Sequence, residues 1–283
     1  MTRTRLAVIG SPIIHSRSPR LHRAAYTVLD VPFSYDAMEV STSHLAEFVQ
    51  SCGRDWVGLS LTMPLKHEVV ALLDRVDDLG TLTRAVNTVR FTDAGVEGFN
   101  TDVGGLMQPL LDAGVSSPAH VLVLGAGATA GSAVAAASRL GAFAITIGAR
   151  SVERAATVVE LGRRLATEIE VVDLTEIEGW ADMRQPDVVI NTLPGRAADT
   201  LSFSAEARRA SVLFDVVYDP WPTVIAASWT DAGGRVIAGI EMLVAQALRQ
   251  VRVFVGGDPG VALDGKDRVL AAMRASVDLA PDL

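Results

Sequence analysis

Short apolar runs alternate along this chain with longer segments whose apolar residues recur at helical spacing. The apolar runs predict strands at 6–9, 34–40, 57–61, 86–91, 96–99, 120–124, 144–147, 171–172, 188–190, 212–214 and 236–237. The helical spacing predicts helices at 19–29, around 45–49, from Leu65, from Asp102, up to Leu140, at 152–165, at 241–254 and at 266–277. Alternation of this kind is typical of an α/β protein with a mainly parallel sheet.

The same pattern divides the chain into a central segment and two outer ones. After Ser116-Ser-Pro118, a strand, a glycine-rich turn and an alanine-rich helix follow one another, which predicts a Rossmann-type dinucleotide-binding domain over residues 103–238. The N-terminal α/β segment is too small, and its helices cover too little of the sheet, to complete a hydrophobic core by itself. We therefore expect the last helices of the chain to pack against it. Residues 1–102 and 239–283 would then form a discontinuous substrate-binding and catalytic domain, with a cleft between the two domains.

Composition and charge exclude several classes of protein. Hydrophobic residues make up 49% of the chain and charged residues 20%, a globular balance that excludes disordered and collagen-like chains. The net charge is −8 without basic runs, so we expect no nucleic-acid partner. The single cysteine excludes an intrachain disulfide framework, and the histidines lack ligand spacing, so no metal is predicted. Neither a signal peptide nor a membrane span is predicted, which makes the cytoplasm the default location.

The turn Gly125-Ala-Gly127-Ala-Thr-Ala130 fits the G-x-G-x-x-A pattern of dinucleotide-binding sites. The pattern alone would also fit an ordinary buried turn, but here a strand directly precedes it and a helix directly follows it. Gly125 permits the tight turn, Gly127 lets a pyrophosphate approach the backbone, and Ala130 allows close packing of the helix on the strand. Free N–H groups at the helix start would bind the phosphates.

The residues after the next strand favour NADP over NAD. An NAD site places a carboxylate there to bind the ribose 2′-hydroxyl, whereas this strand is followed by Arg150, with Arg154 one turn later. A guanidinium group pairs with a 2′-phosphate, so the predicted cofactor is NADP. The alternative is that both arginines are merely solvent-exposed at a helix start.

Three polar clusters in the N-terminal half lie at strand ends or turns, where α/β proteins bind ligands. They are His15-Ser16-Arg-Ser18-Pro19, Ser60-Leu-Thr62-Met-Pro64-Leu-Lys66, and Asn87 with Asn100-Thr-Asp102. Each has a structural alternative, since serine caps helices and Asn-Thr-Asp is common in turns and caps. Lys66 is unusual, because a cation just inside a predicted helix start opposes the helix dipole.

Taken together, these clusters and the glycine loop resemble the shikimate dehydrogenase family, whose members reduce 3-dehydroshikimate to shikimate with NADPH. The matching motifs keep their order over nearly the whole chain: Gly10-Ser-Pro-Ile-Ile-His-Ser16-Arg-Ser18-Pro, Thr62-Met-Pro-Leu-Lys66, Ala85-Val-Asn87-Thr, Gly98-Phe-Asn100-Thr-Asp102, Gly125-Ala-Gly127, Asp215-Val-Val-Tyr218-Asp-Pro and Gly239-Ile-Glu-Met-Leu-Val-Ala-Gln246-Ala. The resemblance implies an NADP-dependent oxidoreductase of the shikimate pathway, which leads to chorismate and the aromatic amino acids.

The resemblance also implies a role for each matching residue. Lys66 and Asp102 would be the catalytic pair, with Asp102 also contacting the substrate. Substrate binding would fall to Ser16 and Ser18 on the carboxylate and to Thr62, Asn87, Tyr218 and Gln246 on the ring hydroxyls or the carboxylate. NADP would contact Gly125, Gly127, Ala128, Ala130, Arg150, Ser151, Arg154, Asp78 and, near the nicotinamide, Gly239. A lysine beside a carboxylate can supply the proton that accompanies hydride transfer, and its charge stabilises a developing alkoxide.

The chain departs from the family pattern at three places. Ser60 stands where the family often has Asn, and we expect a weaker or water-mediated contact there. Ala149-Arg150-Ser151 stands in place of Asn-Arg-Thr, which would remove one hydrogen bond to the adenosine phosphate. Asn191-Thr-Leu stands in place of Asn-Ala-Thr.

Two other functions stay open at this point. One is an enzyme acting on quinate or an aminated analogue; Ser18, in place of the Thr that quinate-using relatives tend to carry, favours shikimate. The other is a non-catalytic binding protein, which would have no reason to retain both Lys66 and Asp102. The expected assembly is a monomer or a homodimer.

Overall fold

The computed structural model describes residues 3–279. Its strands are β1 (Arg5–Gly10), β2 (Ser34–Glu39), β3 (Trp56–Leu61), β4 (Arg75–Val76), β5 (Thr88–Thr92), β6 (Gly95–Phe99), β7 (His120–Leu124), β8 (Ala144–Ala149), β9 (Ile169–Asp173), β10 (Val188–Asn191), β11 (Val212–Asp215) and β12 (Arg235–Ala238). Its α-helices are α1 (Ser18–Leu29), α2 (Leu45–Ser51), α3 (Asp78–Thr83), α4 (Asp102–Asp112), α5 (Ala128–Arg139), α6 (Val152–Arg164), α7 (Ile177–Arg184), α8 (Ala205–Ala210), α9 (Val224–Asp231), α10 (Gly239–Gly256) and α11 (Lys266–Ser276). Short 3-10 helices cover Thr42–His44, Glu68–Leu72 and Leu174–Glu176.

The chain forms two compact units. Unit 1 comprises the residues up to Gly105 together with those from Leu243 onward, and unit 2 comprises Leu106–Met242. Both divisions fall inside helices, α4 and α10. The domain boundaries predicted from the sequence, after residues 102 and 238, lie a few residues before these divisions.

Unit 1 is built on a six-stranded sheet with the order β2-β1-β3-β5-β6-β4. β2, β1 and β3 are parallel, but β5 runs antiparallel to both β3 and β6, so this sheet is mixed rather than mainly parallel. The predicted hairpin is confirmed, because β5 ends at Thr92 and β6 begins at Gly95. Helix α11 packs against α1, which ties the C-terminal end of the described chain to the N-terminal segment.

Unit 2 confirms the predicted Rossmann-type fold. Its six strands are all parallel and follow the order β9-β8-β7-β10-β11-β12, with the first strand of the unit, β7, at the centre. Leu122, Leu213, Phe214 and Trp229 are fully buried around this sheet. The strand order reverses between β7 and β10, and open α/β sheets bind their ligands at the carboxyl ends of the strands at such a point.

One predicted helix, beginning near Leu65, is wrong. Residues 63–67 form turns, and only a 3-10 helix follows, over Glu68–Leu72. The carbonyl group of Lys66 accepts a hydrogen bond from the Val86 N–H at 2.8 Å, so it is used outside the segment. The β-branched pair Val69-Val70 adds little helix propensity. Lys66 therefore does not oppose a helix dipole.

The short elements α3, α7, α8, α9 and β4 were not predicted. The helices among them contain six to eight residues, too few for a repeating apolar face. Within the described residues, no helix is both long and apolar enough to cross a membrane.

Candidate active site and nucleotide-binding loop

A lysine and an aspartate form a buried ion pair in unit 1. Lys66 lies in the turn after β3, and its Nζ donates to Asp102 Oδ2 at 2.6 Å. The side chains are only 12% and 4% exposed, so little water screens the pair. A charge-assisted hydrogen bond in such surroundings is short and strong, and it holds the ammonium group in one place.

Asp102 is held by the start of its own helix. Asn100 Oδ1 accepts hydrogen bonds from the backbone N–H groups of Asp102 at 2.9 Å and Val103 at 3.2 Å, which satisfies two free donors of α4. The amide of Asn100 donates in turn to Thr83 Oγ1 at 2.9 Å and to the Ala85 carbonyl at 3.0 Å. A carboxylate in the first turn is also stabilised by the helix dipole.

Asn87 joins this pair to the C-terminal helix. Its Nδ2 donates to Asp102 Oδ1 at 2.8 Å, to Thr101 Oγ1 at 2.9 Å and to Gln246 Oε1 at 3.2 Å. Its Oδ1 accepts from the Thr101 N–H at 2.8 Å. The structure thus brings together Lys66, Asn87, Asp102 and Gln246, which come from four separate parts of the sequence.

The other predicted substrate residues of unit 1 lie at neighbouring loops. Ser16 and Ser18 follow β1, and the capping alternative for Ser18 is not seen, because it opens α1 and no side chain caps that helix at Arg17. Thr62 follows β3, the strand adjacent to β1, and a Cβ placed on Gly10 would collide with its methyl group. No hydrogen bond within residues 3–279 links these three hydroxyls to the Lys66–Asp102 pair.

Asp78 is exposed at the start of α3. The helix is capped by its neighbour Asp77, whose Oδ1 accepts from the Gly80 N–H at 2.7 Å. Burial raises the pKa of Asp77, and hydrogen bonds from the backbone of Gly80 and Asn100 act against this shift. The cofactor role of Asp78 therefore stays a prediction from the sequence.

In unit 2, the glycine loop connects β7 to α5. Gly125 adopts φ +111°, a conformation that favours glycine, and its N–H donates to the Gly148 carbonyl at 2.9 Å. Gly127 has φ −90°, and a Cβ placed on it would meet nothing within 4 Å. No side chain caps α5 at Gly127, and the first N–H groups of a helix, here beginning with Ala128, have no acceptor within the helix itself. Ala130 is fully buried.

These features fit a dinucleotide. The chain itself requires a glycine at 125 but not at 127, so the open space at Gly127 suits the close approach of a phosphate to the backbone. Arg150 and Arg154 are both exposed at the end of β8 and the start of α6, and Ala149, not a carboxylate, ends the strand. Ser151 Oγ accepts from the Arg154 N–H at 3.3 Å, so this serine is also the cap of α6.

Tyr218 and Gly239 also lie in unit 2. Tyr218 is half-buried in the loop after β11. That loop is held by Asp215, which accepts from Asn191 Nδ2 at 2.9 Å and from the Val217 N–H at 3.1 Å. Gly239 opens α10 against the backbone of Val216, where a side chain would not fit.

Comparison with known proteins decides the family. The family model described as the shikimate dehydrogenase substrate binding domain matches residues 8–89, and the model described as the alanine dehydrogenase/PNT C-terminal domain matches residues 97–238. The chain is 32% identical over 254 residues to a protein of Nitrosopumilus maritimus named shikimate dehydrogenase (NADP(+)), covering 88% of this chain and 92% of the relative. The chain belongs to the shikimate dehydrogenase family.

Solved shikimate dehydrogenases share the fold of the whole chain. The Mycobacterium tuberculosis enzyme is 35% identical, with a TM-score of 0.82 and coverage of 96% of this chain and 99% of that one. The Thermus thermophilus enzyme, solved in complex with NADP(H) and shikimate, is 28% identical with a TM-score of 0.81, covering 96% and 99% of the two chains.

Several residues around the shikimate dehydrogenase site were not predicted from the sequence. The sequence presents Asn100 and Thr101 only as parts of a motif, and it predicts no role for Thr88 or Gln250. Gln250 stands one turn after Gln246 in an otherwise apolar stripe of α10, and that polar interruption was the signal available. The buried hydroxyl of Ser60 donates to Gln250 Oε1 at 2.8 Å, and the weaker or water-mediated contact expected in place of the family's Asn stays a prediction.

Proposed function

We propose that this protein catalyses the reversible, NADPH-dependent reduction of 3-dehydroshikimate to shikimate, a step toward chorismate and the aromatic amino acids. The observation that carries the proposal is the buried Lys66–Asp102 pair at 2.6 Å. A buried charge pair costs desolvation energy, which function can justify. The relatives named NADP(+) shikimate dehydrogenases support the same reaction.

Lys66 performs the proton chemistry in this proposal. Its ammonium group donates a proton to the carbonyl oxygen of the substrate during reduction and takes one back during oxidation. Its positive charge stabilises the oxygen as negative charge develops there. Asp102 keeps Lys66 in place and, with Asn87 and Gln246, offers polar atoms to the ring hydroxyls. Ser16 and Ser18 bind the carboxylate, and Thr62 and Tyr218 complete the substrate contacts.

NADP fits the loop of unit 2. Gly125, Gly127 and Ala128 hold the pyrophosphate at the start of α5, and the buried Ala130 contributes to the cofactor site by letting the helix pack closely on the strand. Arg150 and Arg154, with Ser151, bind the 2′-phosphate, and Asp78 and Gly239 contact the cofactor elsewhere. When bound, the reduced cofactor supplies the hydride. Location in the cytoplasm and assembly as a monomer or homodimer stay predictions from the sequence.

Steady-state turnover of shikimate and of quinate, each with NADP and with NAD, tests the proposal. We expect the highest kcat/KM for shikimate with NADP. Higher kcat/KM for quinate would identify a quinate enzyme, and binding of shikimate without turnover of any pair would identify a non-catalytic binding protein.

A further inference from the structure

A buried amide lies directly behind the candidate active site. Gln250 is 1% exposed on α10 and contacts four polar groups. Its Nε2 is 3.0 Å from the Asn87 carbonyl and 3.0 Å from Thr88 Oγ1. Its Oε1 is 2.8 Å from Ser60 Oγ and 3.1 Å from His22 Nε2. Ser60 and Thr88 are direct cross-strand neighbours on β3 and β5, so this one amide spans both strands.

The direction of every hydrogen bond around Gln250 follows from one fact. A backbone carbonyl only accepts, so the atom facing Asn87 O is the amide nitrogen. The amide oxygen then accepts from both Ser60 and His22. Burial lowers the pKa of His22 to about 3, with the Gln250 hydrogen bond acting against this shift, so the ring is neutral and carries its proton on Nε2.

The outer members of the network follow the same direction. The His22 Nδ1 atom accepts from Tyr26 Oη at 3.0 Å, and Ser60 Oγ accepts from Tyr35 Oη at 2.6 Å. The imidazole also stacks on Tyr35, with ring centroids 4.0 Å apart. The two donors to Gln250 Oε1, His22 and Ser60, are thus themselves held by further hydrogen bonds, which fixes the orientation of the Gln250 amide.

The network continues from Gln250 into the site. The Thr88 hydroxyl accepts a hydrogen bond from Gln250 Nε2 and donates one to Asn87 Oδ1, 3.0 Å away. That bond, with the one from the Thr101 N–H, places the oxygen of the Asn87 side chain away from Asp102 and the nitrogen 2.8 Å from Asp102 Oδ1. The reverse orientation would set two acceptor oxygens against each other.

We propose that Gln250 and Thr88 are positioning residues that orient the Asn87 amide toward Asp102 and the substrate. Both are buried, and they act through the Asn87 carbonyl and side chain. α10 thus contacts Asn87 twice, with Gln246 on its amide and Gln250 on its backbone. The inference rests on the proposed function for its kinetic consequence.

Thr88→Val tests the inference, because it removes the hydroxyl while keeping the shape of a fully buried side chain. We expect kcat/KM for shikimate to fall roughly 10-fold or more, with a raised KM for shikimate and an unchanged KM for NADP. Thr88→Ser restores the hydroxyl and should return the KM for shikimate to within about 3-fold of the original. Thr146→Val removes another buried hydroxyl, bonded to His120 in unit 2, and should leave the KM for shikimate unchanged.

A purely structural role would give a different result. Thr88→Val would then lower kcat only in proportion to the folded fraction, with both KM values unchanged, and that result would overturn the inference. Should Thr88→Val fail to fold, Gln250→Met removes the amide at similar volume. We expect it to raise the KM for shikimate and to leave the KM for NADP unchanged, and two unchanged KM values would overturn the inference.

A second measurement separates this inference from the proposed function. The side-chain NH₂ resonances of Asn87 report its hydrogen bonds without any turnover. We expect Thr88→Val to shift them and Thr88→Ser to leave them in place. If the unmodified protein does not oxidise shikimate, the proposed function fails, but these resonances still show whether Thr88 orients Asn87. Asn87 resonances that do not move in Thr88→Val would refute the positioning role of Thr88.

Discussion

At the scale of single residues, the candidate site depends on how firmly the buried Lys66–Asp102 ion pair is held in unit 1. Lys66 and Asp102 are paired at 2.6 Å, and Asn87 and the Asn100-capped helix fix the carboxylate from two other directions. This hydrogen bond holds the Lys66 ammonium group in one place, which the proposed proton transfer requires. Arg150 and Arg154 of unit 2 contrast with it, because both are exposed to solvent.

Replacing Lys66 with Ala should lower kcat by roughly 10²–10⁴-fold, the usual contribution of a general acid–base group, with a smaller change in KM. The proton donor and the stabilising charge are lost together. Steady-state kinetics with shikimate and NADP measures the effect. The sequence contains one other lysine, exposed Lys266, so Lys266→Ala is the matched control and should retain full activity. A Lys66→Ala protein with near-normal kcat would remove Lys66 from the mechanism.

Replacing Arg150 with Ala should raise the KM for NADP far more than the KM for NAD. Charge-assisted hydrogen bonds of this kind contribute roughly 1.5–3 kcal/mol, which corresponds to about 10- to 150-fold. Kinetics with each cofactor at saturating shikimate gives the ratio. Arg209→Ala, at an exposed arginine of α8, should change neither KM. Equal effects of Arg150→Ala on both cofactors would show that the guanidinium does not bind the 2′-phosphate.

At the scale of elements, the turn between β7 and α5 contains two glycines with different reasons for being there. Gly125 has φ +111°, and a Cβ on it would lie 2.6 Å from Thr192 Oγ1, so the fold itself requires this glycine. Gly127 has an ordinary φ and open space around it. The fold itself therefore gives no reason for a glycine at position 127.

We therefore expect the two glycine variants to separate stability from cofactor binding. Gly125→Ala should reduce the free energy of unfolding by about 1–3 kcal/mol, because of backbone strain and the contact with Thr192. Gly127→Ala should leave it within about 0.5 kcal/mol but raise the KM for NADP, since the new methyl group occupies the path of the pyrophosphate. Urea unfolding without cofactor and kinetics with NADP measure the two effects. An unchanged KM for Gly127→Ala would contradict the proposed placement of the pyrophosphate.

At the scale of the whole molecule, stability depends on pH through a buried histidine. The folded pKa of His22 is about 3, below the value near 6.5 of an unfolded chain. The unfolded state therefore binds more protons between these values, so stability is complete above pH 6.5 and falls as the pH drops toward 3. Between pH 7.5 and 5.5 this one group should cost about 1.4 kcal/mol.

Urea unfolding at those two pH values, in the original protein and in His22→Phe, isolates this contribution. The variant is expected to be less stable at pH 7.5, because it loses two buried hydrogen bonds, but its loss of stability at pH 5.5 should be smaller. His44→Gln removes an exposed imidazole and should keep the pH dependence of the original protein. The same pH dependence in His22→Phe would show that His22 is not the group responsible.

Much of the fold follows from local patterns in the sequence. The four inner strands of unit 2, β8, β7, β10 and β11, are short apolar runs of the kind that helices cover on both faces of a sheet, and the glycine loop identifies β7 as the first strand of the unit. The order of the longer elements, the hairpin and the Rossmann-type unit were predicted for that reason. The short helices were missed because six to eight residues show too little periodicity.

The pairing of Lys66 with Asp102 needed more than local pattern. Residues 36 positions apart meet only because β3 and β5 pair antiparallel and the chain turns back into α4, and without the family resemblance nothing in the spacing would have joined them. The sequence pattern predicts that Lys66 lies in a helix. The observed turn depends on a hydrogen bond from the Val86 N–H to the Lys66 carbonyl, which sequence spacing does not reveal.

Only the tertiary structure showed what lies behind Asn87. His22, Ser60 and Gln250 come from three distant segments, and a buried polar group is stable only where partners from elsewhere in the chain satisfy it. By itself, the sequence determined the order of the longer strands and helices, because apolar periodicity and glycine conformations act over a few residues. The mixed sheet, the turn at Lys66 and the network around Gln250 were decided by tertiary structure, because they depend on which distant atoms meet.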